Sequence, residues 1–229
     1  MKYLIALISM VFSFSGSCQS AAEFVEIFDG KTLNGWTETT DNPGSFLVED
    51  GMLVARGGRA HLFYDGLDGN ADFKNFEYSL KVKTTAKSNS GVYFHTKYQA
   101  TGWPKMGFEA QVNSMHSDPR KTGSLYNIVN MWAPENSDEN FVAKVDEKGE
   151  IFILKPSAPS TDGEWFDYFI KVDGNRVIVK VNGVTTVDWT QPKNWERENR
   201  RIGSGTVAFQ AHDPTCNVFY KDIKLKILD

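Results

Sequence analysis

Cysteine is scarce in this sequence: 229 residues contain two, Cys18 and Cys216. Cys18 lies in an N-terminal segment expected to be lipidated or removed. That leaves Cys216 alone, and no internal disulfide is expected. Cys216 reads as a small buried hydrophobe near the last strand, and a nucleophilic role is a poor fit. Basic blocks are also missing. Lys+Arg 25 against Asp+Glu 29 gives a net charge of −4, and no helix carries a basic stripe. Nucleic acid is therefore not an expected partner. Past residue 22 there is neither a long helical repeat nor a tandem repeat. A Gly-rich phosphate loop, HExxH, a CxxC pair and a GxSxG elbow are absent, and no calcium loop is readable. Nor are the paired carboxylates of an ordinary glycosidase evident. Nothing fixes an oligomeric state.

The N-terminus is the first positive feature. Lys2 supplies a thin positive start, and Tyr3–Phe14 is an apolar run of h-region length, too short to span a bilayer. Ser15-Gly16-Ser17-Cys18 resembles a lipoprotein box, with lipidation at Cys18. Ser20-Ala21-Ala22 would instead suit ordinary signal peptidase. Either route predicts an exported protein, periplasmic or anchored to the outer membrane, touching membrane only through that lipid. Residues 1–22 are then signal, and 23–229 form a single domain.

From Phe24 onward, period-2 alternation and turn dipeptides dominate. Strands are expected on both sides of Asp50-Gly51, over 76–83, over 92–98 after a turn at Ser88-Asn89-Ser90-Gly91, and over 107–113. Others are expected over 166–172, 177–181, 184–189, 205–212 and 218–228. In the last of these, Phe219, Ile223, Leu225 and Ile227 are expected to share a face. Segments 114–122 and 131–147 read as irregular and polar. Ten or more short strands at this spacing predict an all-β antiparallel two-sheet sandwich or a barrel. The many aromatics (Phe 16, Tyr 8, Trp 6) suit such a core, and some suit stacking on sugars.

Alternation also sorts the strand faces. Phe108, Ala110 and Val112 oppose Glu109, Gln111 and Asn113. Val92, Phe94 and Thr96 oppose Tyr93, His95 and Lys97. Val207, Phe209 and Ala211 oppose Ala208, Gln210 and His212. The polar sets favour Tyr, His, Gln and Asn over the Lys, Glu, Thr and Ser of an ordinary solvent face. Such groups hydrogen-bond sugar hydroxyls and move protons. Trp103 reads as a loop-tip aromatic, either an anchor or a sugar platform. Glu109 finds no nearby acidic partner on its face, with Glu77 a remote candidate. His116 reads as a loop residue, and His61 is given no role.

Several segments, taken in order, resemble the 3-keto-disaccharide hydrolase domain family. They are Phe28-Asp29-Gly30-Lys31-Thr32-Leu33-Asn34-Gly35-Trp36, Asp50-Gly51-Met52-Leu53, Asn89-Ser90-Gly91-Val92-Tyr93-Phe94 and Gly107-Phe108-Glu109-Ala110-Gln111-Val112. Thr122-Gly123-Ser124-Leu125-Tyr126, Val181-Asn182-Gly183 and Phe209-Gln210-Ala211-His212-Asp213 follow. Two positions depart from the pattern: Asn113-Ser114 stands where an Asp is common, and His95 where an Arg often ends its strand.

The resemblance implies a concanavalin A-like jelly roll with one concave sheet, and substrates oxidised to a ketone at C3 of the sugar. That ketone acidifies the hydrogen on C2. Loss of the proton gives an enolate, which expels the C1 oxygen, and water adds to the enone. The route needs one base, one enolate stabiliser and one acid. On this reading Glu109 or His95 is the base and His212 the leaving-group acid. Tyr93, Lys97, Trp103, Gln111, Asn113, Lys121, Tyr126 and Gln210 contact the carbohydrate substrate. No cofactor is required by the sequence, although a divalent cation held by Glu109 and histidines would also stabilise an enolate. A non-catalytic carbohydrate-binding domain is the second reading, and an adhesive surface domain the third.

Overall fold

A computed structural model describes residues 23–133, 143–155 and 157–229. Cys18 and the processing signals lie outside these residues. The chain forms two packed antiparallel sheets. The larger runs from Val184–Thr190 through Arg176–Val181, Trp165–Asp173, Phe76–Thr84, Asn217–Ile227 and Met52–Arg56 to Phe46–Glu49, with Val25–Glu26 added beside Asn217–Ile227. The smaller orders Trp36–Glu38, Ala60–Tyr64, Thr206–Ala211, Asn89–Thr96 and Phe108–Asn113. Of the sandwich and barrel that the alternation allows, this is the sandwich, in the jelly-roll form that the resemblance implies. One departure is a small third sheet, in which Val129–Trp132 and Ile151–Leu154 pair in parallel.

The core is made where the alternating apolar faces meet. Leu80, Val82, Ile170 and Val179 of the large sheet pack toward Leu62, Val92, Phe94, Phe108 and Phe209 of the small one. Burial of each such side chain contributes roughly 1.5–3 kcal/mol. Two tyrosines carry their hydroxyls across this dry layer to partners in the small sheet. Tyr168 Oη donates to the carbonyl of Gln111 (2.9 Å), and Tyr220 Oη pairs with Ser90 Oγ (2.6 Å), which donates to the carbonyl of Gln210. Both contacts tie the core to strands that carry polar groups on their other face.

Three expectations are corrected. Asn89-Ser90-Gly91 is not a turn. The chain turns at Thr85–Ser88, where Lys87 has φ 64°, and Asn89, Ser90 and Gly91 pair with Asn113, Val112 and Gln111. His95 does not share the polar face with Tyr93. It sits at φ 51°, a left-handed conformation that breaks period-2 alternation. Its ring turns to the core side, against Phe76, Phe94 and Phe108, with Nε2 on the carbonyl of Lys74 (2.9 Å). Phe219 likewise does not share a face with Ile223 and Leu225. Asp222, at φ 52°, sits in a bulge between Lys221 and Lys224 that switches parity, so Val218 and Tyr220 join Ile223 and Leu225 in the core.

Gly205 fixes where the strand at His95 runs. A Cβ there would lie 2.5 Å from the His95 carbonyl carbon and 2.5 Å from the Thr96 oxygen, both backbone atoms that cannot step aside. Gly205→Ala is expected to cost about 2–4 kcal/mol. Chemical denaturation checks this, and a midpoint unchanged from the parent would contradict the packing described.

Candidate active site

The polar face of the small sheet carries a cavity of about 370 Å³. Glu109 lies in it, on the Phe108–Asn113 strand, beside Tyr93 in cross-strand register. Its carboxyl is buried. Tyr93 Oη donates to Oε2 (2.9 Å), and Gln210 Nε2 donates to Oε1 (3.2 Å) and to Tyr93 Oη (2.9 Å). Burial raises the Glu109 pKa above the ordinary carboxylate range, against the opposing pull of the Tyr93 hydroxyl, Arg200, His212 and Gln210. Gly91 makes this placement sterically feasible: a Cβ on it would stand 2.4 Å from Glu109 Oε1.

Next along the strand, Gln111 donates from Nε2 to Asn89 Oδ1 (2.7 Å). Its Oε1, like that of Gln210, is buried without a partner among the described residues. Both residues line the cavity. Two unpaired buried acceptors are costly unless a ligand supplies donors. Sugar hydroxyls are such donors.

Loops build the walls. Trp103 tops one side, its ring 5.1 Å from that of His212 and 5.7 Å from that of His61. Its loop is pinned by Gly102 N donating to Asp41 Oδ2 (2.6 Å), and the Arg59 guanidinium lies 5.5 Å from the indole. Tyr126, Asp118 and Arg200 also line the cavity. Arg200 comes from a single 3-10 turn, Glu198–Arg200, and its Nη1 donates to the carbonyl of Tyr126 (3.3 Å). His212 closes the end of the cavity and bonds Asp213 Oδ2 through Nδ1 (2.7 Å).

Tyr93, Trp103, Glu109, Gln111, Tyr126, Gln210 and His212 thus come together, and four expected residues do not. His95 faces the core side of the sheet. Lys97 is exposed and lines a separate cavity with Tyr64 and Tyr98, because the left-handed turn at His95 ends the alternation that would have aligned it. Asn113 and Lys121 are buried but point at the 114–121 loop. Asn113 Nδ2 donates to the carbonyls of Asp118 and Arg120 (2.8 Å each), and Lys121 Nζ to those of His116 (2.7 Å) and Asp118 (2.8 Å). They hold the loop that carries His116 and Asp118. Glu77, the remote acidic candidate, is on the other sheet beside Lys171 and Lys226.

Residues the sequence reading passed over also belong here. Asn89 was hidden by its assignment to a turn. Arg200 lies in an irregular stretch without a motif. His61 sits fully buried under Trp103 with neither ring nitrogen partnered among the described residues. Burial, then Arg59, pushes its pKa down to about 3, so it stays neutral.

A model of the 3-keto-alpha-glucoside-1,2-lyase-like domain matches residues 23–226. The chain belongs to this family. It is 24% identical over 237 residues to a 3-keto-disaccharide hydrolase of Bacteroides thetaiotaomicron, covering 90% of this chain and 79% of that one. A protein of Parabacteroides distasonis assigned as a glycosyl hydrolase superposes with TM-score 0.65 at 21% identity, covering 90% of this chain and 94% of the other. The carbohydrate-binding module CBM66 of Bacillus subtilis superposes with TM-score 0.52 at 12% identity, over 84% and 96% of the two chains. These two likenesses show the shared fold. Family and relative together mark a protein of the glycosyl hydrolase kind.

The buried carboxyl makes stability depend on pH with a definite sign. Unfolded, Glu109 ionises in the ordinary range. Folded, it keeps its proton to higher pH, so the folded state binds more protons in between, and this group's contribution falls as pH rises through that window. Glu109→Gln removes the charge while keeping an oxygen for the Tyr93 hydroxyl. The variant is expected to exceed the parent by on the order of 1 kcal/mol at about pH 8, with the gain gone at about pH 4. Paired thermal melts test this, and a variant less stable than the parent at the higher pH would refute the burial argument.

Proposed function

We propose that this protein cleaves 3-keto-glycosides by elimination across C1 and C2 of the oxidised sugar. Supporting this reading above all is the pairing of one buried, desolvated carboxylate, Glu109, with one imidazole, His212, in a cavity that also offers cationic and neutral donors. The Glu109 carboxylate takes the C2 proton, and its raised pKa makes it a stronger base than an exposed Glu. The electrons of the C2–H bond form the C2–C3 double bond of an enolate. Tyr126 and Arg200 provide donors for the enolate and for hydroxyls around the ring. The enolate then reforms the ketone as C1–C2 becomes a double bond and the C1–O bond breaks. His212, acting as the imidazolium, gives its Nε2 proton to the departing oxygen. Water added to the resulting enone gives the free 3-keto sugar, while release before hydration gives the lyase outcome.

A binding module is the second reading, favoured by the two unpartnered amide oxygens of Gln111 and Gln210. Asp118 also lines the cavity, but its carboxylate is engaged by the Arg120 backbone N–H (2.8 Å) and guanidinium (3.5 Å). This suits a wall residue better than the second carboxyl of a direct displacement.

The deciding assay offers matched 3-keto-glycosides and their unoxidised parents, with and without chelator. Aglycone release from the oxidised series only is expected, falling by about 10²–10⁴-fold in Glu109→Gln. Activity should also fall as pH drops through the raised Glu109 pKa. His95→Ala should lose stability yet keep turnover per folded molecule within a few-fold. Cleavage of unoxidised parents, or saturable sugar binding without any turnover, would reject the elimination. We also infer export, through acylation at Cys18 or cleavage after Ala22. Mass spectrometry of the mature N-terminus distinguishes an acylated Cys18 from a free Glu23, and an intact Met1 in membrane and periplasmic fractions would exclude both.

A further inference from the structure

His116, His212 and Asp213 bring three ligand-type atoms within 4.8 Å of one another, in a cluster that does not include Glu109. A metal is the first thought, but the backbone argues otherwise. His116 Nδ1 accepts a hydrogen bond from Asp118 N–H (3.0 Å). An imidazole nitrogen that accepts carries no proton, so in the neutral ring the proton is on Nε2. Nε2 faces Asp213 Oδ2 at 3.4 Å. A metal on that nitrogen would need its lone pair and would force the proton onto Nδ1, against the Asp118 amide.

The same logic works from the other side. Asp213 Oδ1 is held by the Thr215 amide (2.8 Å) and hydroxyl (2.5 Å), which leaves Oδ2 for the histidines. Burial pushes the Asp213 carboxyl up, but Thr215 and His212 outweigh it and hold the group below its ordinary range. As a carboxylate it only accepts, so His212 Nδ1, 2.7 Å away, must be the donor.

We propose that His116, Asp213 and His212 form a hydrogen-bonded relay that leaves His212 Nε2 as the nitrogen exchanging protons with the molecule in the cavity. The proposal rests on the proton-transfer reading above and assigns Asp213 and His116 as positioning residues. Whichever way the proton moves, Nε2 is the atom that moves it, and the imidazolium formed is stabilised by Oδ2. The charged and titratable groups around His212 are Asp213, His116, Glu109 and His61, with the Trp103 ring beside it, tilted by 43°. Those around His116 add Asp118 and Lys121. Burial first, helped by the charges of His212 and Lys121, moves His116 below the ordinary imidazole range against the opposing pull of Asp213 and Asp118.

The test uses the mature protein with 15N-labelled histidine, without substrate. The expected spectrum has neutral His212 protonated at Nδ1 and bare at Nε2, with the imidazolium adding its second proton at Nε2, and neutral His116 protonated at Nε2. In Asp213→Asn the side-chain amide can donate to Nδ1, and the His212 proton should move to Nε2. With 3-keto-glycosides the same variant should lose about 10²–10⁴-fold in kcat with KM changed less than about threefold. His116→Gln, which keeps a donor toward Asp213, should retain kcat within a few-fold, and His116→Leu should lose about tenfold. A neutral wild-type His212 carrying its proton on Nε2 with Nδ1 bare, or Asp213→Asn with unchanged tautomer and kcat, would overturn the relay. So would stoichiometric zinc binding that shifts both histidines and vanishes in His116→Leu. Because the spectrum needs no substrate, it decides the relay even if no 3-keto-glycoside is cleaved, an outcome that would defeat the functional reading alone.

Discussion

A carboxyl group with little access to water, set among amides and a phenol, is the constraint around which this site is built. Glu109 can be ionised there only because donors replace its lost hydration. Tyr93 and Gln210 do so directly, and Gly91 gives up its side chain to leave room. Each of these residues is in turn fixed by the sandwich. Strand pairing sets Tyr93 opposite Glu109 and Gln210 opposite His61. Beneath them, the Tyr168 and Tyr220 hydroxyls bind these strands from the core side. The polar face is therefore as tightly placed as the core, and the groups in it cannot relax to quench the charge.

Where the chain kept a plain β conformation, its architecture was legible from alternation alone. Glu109, Gln111, Tyr93, Gln210 and His212 fell on one face by counting, and they line one cavity. Counting failed at His95 and Asp222 for a common reason. Each adopts a left-handed backbone, which inserts a half-step and sends every later side chain to the other face. Neither residue is a glycine, and although His and Asp enter the left-handed region more readily than most residues, few of them do, so the type alone does not announce the switch. The resemblance supplied part of what alternation could not, by pointing to His212 and to the Gly107–Val112 strand.

The loop contributions were less legible, because no local signal reports a long-range contact. Arg200 reaches Tyr126 across a large separation in sequence, and His116 meets Asp213 from a different strand end. Asn113 and Lys121 were picked out as polar residues near the site and are better understood as internal supports. A buried Lys donating to two carbonyls replaces the hydrogen bonds a short polar loop cannot make for itself. Their effect on chemistry, if any, passes through the position of His116 and Asp118.

A single carboxylate and a single imidazole would be a meagre set for splitting an unactivated glycoside, where positive charge must be stabilised at C1. They are an adequate set if the substrate brings its own ketone. The oxidised sugar moves the hard step from forming a cation to removing an acidified proton, and negative charge then develops on oxygen. Donors such as Arg200 and Tyr126 suit that charge, whereas they would oppose an oxocarbenium ion. The sign of the donors lining the cavity therefore bears on mechanism independently of family membership. It also accounts for the value of a fixed tautomer at His212. When one nitrogen must protonate the departing oxygen without a second carboxyl to assist, it does so from the imidazolium, and a carboxylate held on the far side of the ring stabilises that cation and leaves Nε2 as the nitrogen that gives up its proton.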